Sequence, residues 1–338
     1  MAHLPYRNFV HLTQPEAYQL MHEMLSGGMS TEGIAEVLSF LRRKGETVAE
    51  LVGFASAIRD MAPPAELDQS NEPVLDTAGT GGDATNSFNI STAAAFVAAG
   101  AGLRVAKHGN RKISSQCGSA DVLEALGVSV SLSAEDAIEC LRKIGIGFFY
   151  APLLHPAVKY AQEARLMLKG RTVFNMLGPL TNPIRARVQL IGAFSVRAAE
   201  MLAQCAARLG IERAFVVHGC DGLDEITTTG TTTVFQVDER RVQKGQWSPN
   251  HFGVPQAAIE DLKGGDPETN AGIIRAVLNG DPGPRRDVVL VNSAAALLLS
   301  RKANDIRDAL AIAAESIDSG SARSKLEQLV ELTSALRA

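Results

Sequence analysis

The sequence predicts an α/β protein: a small all-helical N-terminal domain, then a larger domain with a central mixed, largely parallel sheet flanked by helices. Three observations predict it. Up to Pro64 the apolar residues recur only at helical spacing. The stretch "APPAELDQSNEP", residues 62–73, is rich in proline and polar residues and reads as a linker. Beyond it, short β-prone runs alternate with helical segments, as they do where helices layer a sheet. A length of 338 residues fits roughly two such domains.

Each element has a local reason. In "TQPEAYQLMHEML" Thr13 is placed to cap a helix, Pro15 falls in the tolerant first turn, and Gly27-Gly28 ends it. "STEGIAEVLSFLRRKG" keeps helical apolar spacing and stops at Gly45. "ETVAELVGFASAIRDMA" follows, with Thr47 and Glu50 spaced as a capping box. Expected strands are "PVLDTA", "LRVAKHG", "VSVSL", "IGFFYA", "VQLIGAFS", "RAFVVHG", "TTTVFQV" and "DVVLVN". Expected helices are 92–100, 120–126, 133–144, 196–209, 270–278, 292–300 and a long C-terminal pair. The segment "HPAVKYAQEARLMLKGRTVFNMLGPLTNP" interrupts the alternation with more helix and is expected to rejoin the N-terminal helices in space. The domains are therefore expected at 1–68 together with about 152–184, and at 72–151 together with 185–338.

Composition narrows the function. Apolar residues make up 46% and charged ones 21%, the profile of an ordinary globular protein. A net charge of −4 argues against a nucleic-acid or anionic-membrane partner, while leaving room for a local basic pocket. Cys117, Cys140, Cys205 and Cys220 form no CxxC pair, and their spacing suits neither zinc nor a small disulfide scaffold. Reduced thiols in a cytoplasmic protein are expected. "MAHLPYRNF" has no apolar core of a secretory signal, and the longest apolar stretch, 93–103, is too short to span a bilayer.

Three loops carry the candidate chemistry. In "GTGGD", residues 79–83, bare glycines let the chain turn sharply and press its amides against a ligand. "NISTAAAFVAAG" follows, with Ser91 or Thr92 as caps of the next helix. Amides, hydroxyls and a helix N-terminus together favour an anion, most often phosphate. Neither GxxxxGK[ST] nor GxGxxG is present, so the nucleotide loops they mark are not supported. Asp83 suits a cation, a ribose hydroxyl or an Arg better than a phosphate. The second loop, "KHGNRK" at 107–112, reads alone as a solvated turn. One strand and one helix after GTGGD, it becomes the facing wall of a polyanion site, at the strand end where open α/β sheets bind ligands. The third, "VVHGCDGLDEITTTG", sets Asp224 and Glu225 side by side after an apolar strand. It is either an exposed acidic turn or a pair of oxygen ligands for Mg²⁺, with Asp221 as a weaker candidate. Arg165, on spacing alone, is a surface residue.

The ordered set "GTGGD…NIST", "KHGNR…SS…GSADVLEALG", "FNMLGPLTNP" and "HGCDGLDE", with "LRRKGET", "EDLKGGD" and "AAESIDSG", resembles the anthranilate phosphoribosyltransferase family over nearly the whole chain. The resemblance implies a homodimer that moves phosphoribose from phosphoribosyl pyrophosphate to the amine of anthranilate. It implies phosphoribosyl pyrophosphate at Gly79, Gly82, Asp83, Ser87, Asn89, Ile90, Ser91, Thr92, Lys107, His108, Gly109, Asn110, Arg111, Lys112, Ile113, Ser114, Ser115 and Ser119. Two Mg²⁺ ions are implied at Ser91, Asp224 and Glu225, and anthranilate at Gly79, Asn110 and Arg165. Catalysis is expected from Lys107 neutralising the leaving group, from Arg165 on the acceptor carboxylate, and from His108 as proton acceptor or structural residue. The chain departs from the family pattern at Ala84, at Cys117 and across 166–170. Two rivals carry less. A pyrimidine-type nucleoside phosphorylase would need neither the "LDE" pair nor "KHGNR", and a nucleic-acid-binding relative should have lost GTGGD and gained basic surface.

Overall fold

The computed structural model describes residues 11–337 except 64, 66, 69–71, 83–84 and 113–115. The N-terminal helices are α1 (Gln14–Leu25), α2 (Thr31–Lys44) and α3 (Val48–Met61). Thr13 with Glu16 and Thr47 with Glu50 form reciprocal capping boxes, and Ser30 caps α2 through the Gly33 amide. These side chains satisfy amide groups that the first turn of a helix leaves without partners.

The sheet has seven strands in the order β3-β2-β1-β4-β5-β6-β7. They are β1 (Leu75–Asp76), β2 (Val105–Gly109), β3 (Ile146–Tyr150), β4 (Val188–Gly192), β5 (Arg213–Gly219), β6 (Thr232–Asp238) and β7 (Arg241–Trp247). The first five run parallel, and β6 and β7 add antiparallel at one edge. Parallel strands need crossovers. Helices α4 (Ile90–Gly100), α5 (Ser119–Ala125), α6 (Ala134–Ile144), α7 (Ala151–Leu154), α8 (Lys159–Leu168), α9 (Val173–Leu177) and α10 (Val196–Arg208) lie within them. After β7 come α11 (Pro249–Phe252), α12 (Pro267–Leu278), α13 (Pro284–Leu299), α14 (Ile306–Asp318) and α15 (Ser321–Arg337).

Two main cores result. One packs α4 against α13, α14 and α15, with Phe88, Phe96 and Val288 among its buried members. The other joins the N-terminal helices, α8 and 173–180 to α10 and one face of β4, β5 and β6. Helix α8 lies on α2 and α1, and α9 on α3.

Two expected strands are not strands. Residues 128–132 are irregular, although Val128, Val130 and Leu132 are buried alternately. The alternation copies a strand, but no neighbouring strand among the described residues pairs with it, and the Ser129 amide bonds the Thr333 hydroxyl at 3.1 Å instead. Residues 287–292 fall inside α13, whose start is set by Pro284 in the first turn. That helix is buried almost all round, so its valines show no helical stripe. The exposed, polar β7 was missed because an edge strand bears little apolar pattern.

One buried ion pair fastens the helical part. Glu50 is fully buried and Lys44 is 4% exposed; their charged atoms lie 2.7 Å apart. The same carboxylate accepts the Leu12 amide at 2.8 Å and the Thr47 amide at 2.9 Å. Glu50→Ala would strand a buried ammonium and two amides. We expect it to cost about 3–5 kcal/mol, read as a lowered urea midpoint; an unchanged midpoint would show that the pair is dispensable.

Candidate active site

Because β2, β1, β4 and β5 are parallel neighbours, the loops leaving their carboxyl ends gather on one edge. The chain order reverses between β1 and β4, where such sheets form a crevice. The Gly-rich loop leaves β1, "KHGNRK" continues from β2, and the loop bearing Asp224 and Glu225 follows β5.

Asp224 sits directly on the Gly-rich loop. Its Oδ2 accepts the Gly81 amide at 2.7 Å. A Cβ on Gly79 would stand 2.6 Å from that oxygen, and one on Gly192 only 1.6 Å from the Asp224 carbonyl oxygen. Gly192 must therefore lack a side chain, and a Cβ on Gly79 would displace the carboxylate that holds the Gly81 amide. Gly81 and Gly82 adopt φ of 62° and 72°, the left-handed region that glycine reaches at no steric cost. Gly82 is held from the other side, where an Arg171 guanidinium N–H donates to its carbonyl and the guanidinium covers the Phe194 ring.

Glu225 reaches the start of α4, where its Oε1 accepts the Ser91 amide at 3.0 Å. The N-cap residue is Asn89, without a side-chain cap bond. Ser91 and Thr92 thus lie inside the first turn and are not the caps the sequence suggested, because a carboxylate from a distant loop takes the amide a cap would hold. Burial and the neighbouring Asp224 push the Glu225 carboxyl up to about 8; Lys107 and the Ser91 amide pull it back.

Lys107, 4% exposed, extends beneath both. Its ammonium donates to the Thr77 carbonyl at 2.9 Å and the Ser91 hydroxyl at 3.3 Å. Burial lowers its pKa, and Asp76, Glu225 and Asp224 raise it. Asp76 is buried too, pushed up to about 6 by desolvation while the Asn182 amide, the His108 N–H and Lys107 oppose the rise. Asn182 donates to Asp76 at 2.9 Å and to the Ala106 carbonyl at 3.0 Å, fixing the "GPLTNP" turn to β1 and β2.

The basic loop is shaped by Asp121, whose Oδ2 accepts the Lys112 amide at 2.8 Å and the Gly118 amide at 2.9 Å. Ser119 donates to the Asn110 carbonyl, and Asn89 to the Cys117 carbonyl at 3.3 Å, so the two loops are bonded to each other. Ile90 begins α4 with its side chain buried, and Ser87 pairs with Lys263 in a short antiparallel bridge. Asn270 bonds Asn89 at 2.9 Å.

Some expected residues lie apart from this group. Arg111 is engaged elsewhere: its guanidinium grips Glu124 at 2.5 and 2.7 Å and Asp121 at 3.3 Å. His108 is buried, its Nδ1–H donates to the Gly178 carbonyl at 3.2 Å, and its ring meets His155 edge-on at 5.4 Å. Desolvation, His155 and Lys107 push its pKa down to about 3. The ring is thus neutral and a weak base, and its Nε2 is buried with no hydrogen-bond partner among the described residues. Arg165 is half-buried over the Phe174 ring at 5.0 Å and has no hydrogen bond or ion pair among the described residues. Asp221, the weaker metal candidate, is spent on its own loop, accepting from Thr227 at 2.5 Å, Thr229 at 2.6 Å and the Leu223 amide. Asp83, Ile113, Ser114 and Ser115 lie outside the described residues, as does Ala84. The sequence reading did not single out Asp76, Asn182, Gly192 or Asn270. Only Asn182 falls inside a quoted motif, "GPLTNP".

Among the described residues no three His, Cys, Asp or Glu side chains cluster as a metal cage. The donors present do fit Mg²⁺. Asp224, Glu225 and the Ser91 hydroxyl are hard oxygen ligands, and the raised carboxyl of Glu225 marks negative charge that a cation would relieve. Mg²⁺ commonly takes one or two carboxylates plus waters and substrate phosphates.

A Gly-rich loop, a basic loop and a carboxylate pair on one sheet edge define a transferase handling a phosphorylated sugar. Family models agree: "Glycosyl transferase family, a/b domain" matches residues 71–323, and "Glycosyl transferase family, helical bundle domain" matches 6–62. A curated anthranilate phosphoribosyltransferase from Solibacter usitatus is 52% identical, covering 96% of each chain. A crystal structure of the Thermus thermophilus enzyme superposes with TM-score 0.93 at 38% identity, covering both chains fully. The Saccharomyces cerevisiae enzyme, solved in complex with PRPP and Mg, superposes at 0.87 with 28% identity over 96% of this chain and 94% of that one. It has also been solved with 4-fluoroanthranilate. The chain belongs to the anthranilate phosphoribosyltransferase family.

The buried histidines predict an acid response. Burial also pushes His155 down to about 4. An unfolded His titrates near about 6.5, so between there and about pH 4 the unfolded chain binds protons that the folded one refuses, and stability falls as pH drops. Asp76 and Glu225 act oppositely, holding protons in the folded state that the unfolded state releases. The readout is therefore a difference: His155→Asn should lose less stability than the unmodified chain between about pH 7 and about pH 5, by urea midpoints. Equal losses would mean that His155 charges freely in the fold.

Proposed function

We infer that the chain transfers the phosphoribosyl group of 5-phosphoribosyl 1-pyrophosphate to the amine of anthranilate. The products are N-(5-phosphoribosyl)anthranilate and pyrophosphate, in the second step of tryptophan biosynthesis from chorismate. The observation that carries this reading is the carboxylate doublet, bonded through Asp224 to the Gly-rich loop and through Glu225 to α4. It brings oxygen ligands, loop amides and Lys107 to one place.

The donor lies between the two loops, with pyrophosphate on the amides of Gly79 and Gly82, on Ser87, Asn89–Thr92 and on the basic loop from Lys107 to Lys112. Residues Asp83, Ile113–Ser115 and Ser119 complete the set that family resemblance assigns. Arg111 must leave Glu124 to take part. The amine nitrogen bonds the anomeric carbon as the bond to pyrophosphate breaks, and the electron pair departs with pyrophosphate. An aromatic amine is unprotonated at neutral pH, so attack needs no base. Its proton then passes to water or to the departing pyrophosphate, and His108, held neutral, serves to position Gly178. Lys107 and the α4 amides face the charge that builds on the departing group. Mg²⁺ when bound, on Ser91, Asp224 and Glu225, would neutralise the same charge; we propose two ions per subunit. Arg165, with no acidic partner among the described residues, offers its guanidinium to the anthranilate carboxylate beside Gly79 and Asn110.

The helical unit comprises 1–68 and about 152–184, and the chain works as a cytoplasmic homodimer. No helix among the described residues is long and apolar enough to cross a membrane, and none of the four cysteines is in a disulfide, as suits a reducing compartment. Sedimentation equilibrium reads the assembly; a monomer at working concentration would refute the dimer.

Loss of anthranilate fluorescence on adding phosphoribosyl pyrophosphate tests the reaction. Asp224→Asn and Glu225→Gln should each lower kcat by roughly a hundredfold or more and shift the Mg²⁺ dependence, with little change in the unfolding midpoint. Identical Mg²⁺ titrations would remove the doublet from the mechanism. Arg165→Gln should raise the KM for anthranilate roughly ten- to hundredfold; a defect confined to the donor would contradict its assignment.

A further inference from the structure

Away from the loops, a cleft of about 220 Å³ opens where α1 and α3 meet the end of α10. That is far above the roughly 10–15 Å³ a single water needs. Gln14, Ser56, Arg59, Asp60, Arg185 and Arg208 line it. Three guanidiniums thus face one carboxylate.

The carboxylate is already used. Asp60 Oδ1 accepts Arg185 at 2.9 Å, and its Oδ2 accepts the Tyr18 hydroxyl at 3.3 Å. Arg59 is largely desolvated. Its Nε–H donates to the Leu180 carbonyl at 2.6 Å and one terminal nitrogen to the Leu209 carbonyl at 3.2 Å. Its other terminal nitrogen is buried with no hydrogen-bond partner among the described residues. Desolvation and the nearby Arg185 charge push the guanidinium down to about 10. Arg208, exposed in the last turn of α10, has no hydrogen bond or ion pair among the described residues. The carbonyl end of α10 would ordinarily repel an anion, but Arg59 already covers its Leu209 carbonyl. A buried guanidinium donor without an acceptor is rare in a folded chain, and here it stands among uncompensated positive charge.

We propose that this cleft is a second anion site, taking a small oxyanion of the phosphate class on Arg59, Arg185 and Arg208. Ser56 and Gln14 are within the same wall and can bond the remaining oxygens. The occupant would tie α3 to the end of α10, so it would stiffen the joint between the helical unit and the sheet without touching the transferred sugar.

Equilibrium dialysis against radiolabelled inorganic phosphate tests this on the full chain, with and without saturating phosphoribosyl pyrophosphate and Mg²⁺. The double variant Arg185→Asn/Arg208→Gln changes two exposed residues, and asparagine tolerates the positive φ of 52° at position 185. Phosphate binding that survives the donor and weakens about tenfold or more in the variant supports the site. The single variant Arg208→Gln should show part of the same loss if the double variant folds poorly. Full displacement of the label by the donor, or equal binding by folded variant and unmodified chain, overturns it. The variant arm does not depend on where the donor binds, so a failed transferase reading and a failed second site give different results.

Discussion

Two adjacent carboxylates bonded to two distant amides organise the reactive edge. Asp224 takes Gly81 and Glu225 takes Ser91, so one short loop after β5 fixes both the Gly-rich turn and the first turn of α4. The arrangement sets like charges side by side in a desolvated place, and Glu225 is pushed up to about 8 as a result. A fold selected for stability alone would avoid this. The cost makes sense if a divalent cation and a polyphosphate complete the charge balance, since a bound cation reverses the penalty that burial imposes on the pair.

Beneath the doublet lies a second buried pair that supports it. Lys107 and Asp76 sit on neighbouring strands, and each moderates the desolvation of the other. Asn182 bonds both Asp76 and the Ala106 carbonyl, which brings the "GPLTNP" turn against β1 and β2. Gly178 in that turn accepts from His108. Hydrogen bonds therefore run from the helical segment after β3 to Asp76, whose charge in turn acts on the Lys107 ammonium. Removing any member would leave a buried donor or acceptor unmatched.

Much of this was legible in the sequence, for identifiable reasons. GTGGD, KHGNRK and the Asp224–Glu225 doublet are dense local signals, and parallel alternation predicts that loops after neighbouring strands share an edge. What was not legible depends on three-dimensional proximity. Gly192 looks like an ordinary strand residue until the Asp224 carbonyl is seen where its Cβ would be. Asp76 reads as one residue of a short strand, yet it is the buried anchor under Lys107. Arg111 reads as a phosphate ligand, and that its guanidinium rests on Glu124 follows from where α5 packs, which the sequence does not give. The failed strands have the same origin. Alternate burial at 128–132 and a valine run at 287–292 report burial, not strand pairing, and a single sequence does not separate the two.

The departures from the family pattern can be ranked by which atoms they touch. Cys117 is one departure, but the loop uses its carbonyl, which accepts from Asn89, and any residue supplies that group. Its thiol is pushed up to about 11 by burial, so it stays protonated and unreactive at neutral pH. Leu166 and Met167, in the departing stretch 166–170, are 70% and 55% exposed, so neither is absorbed by the core. They follow Arg165 directly on α8, yet the guanidinium is seated by Phe174, from a different element. The position of the Arg165 guanidinium is thus decoupled from the two altered side chains. What they change is the polarity of the exposed face of α8, not the packing that holds Arg165.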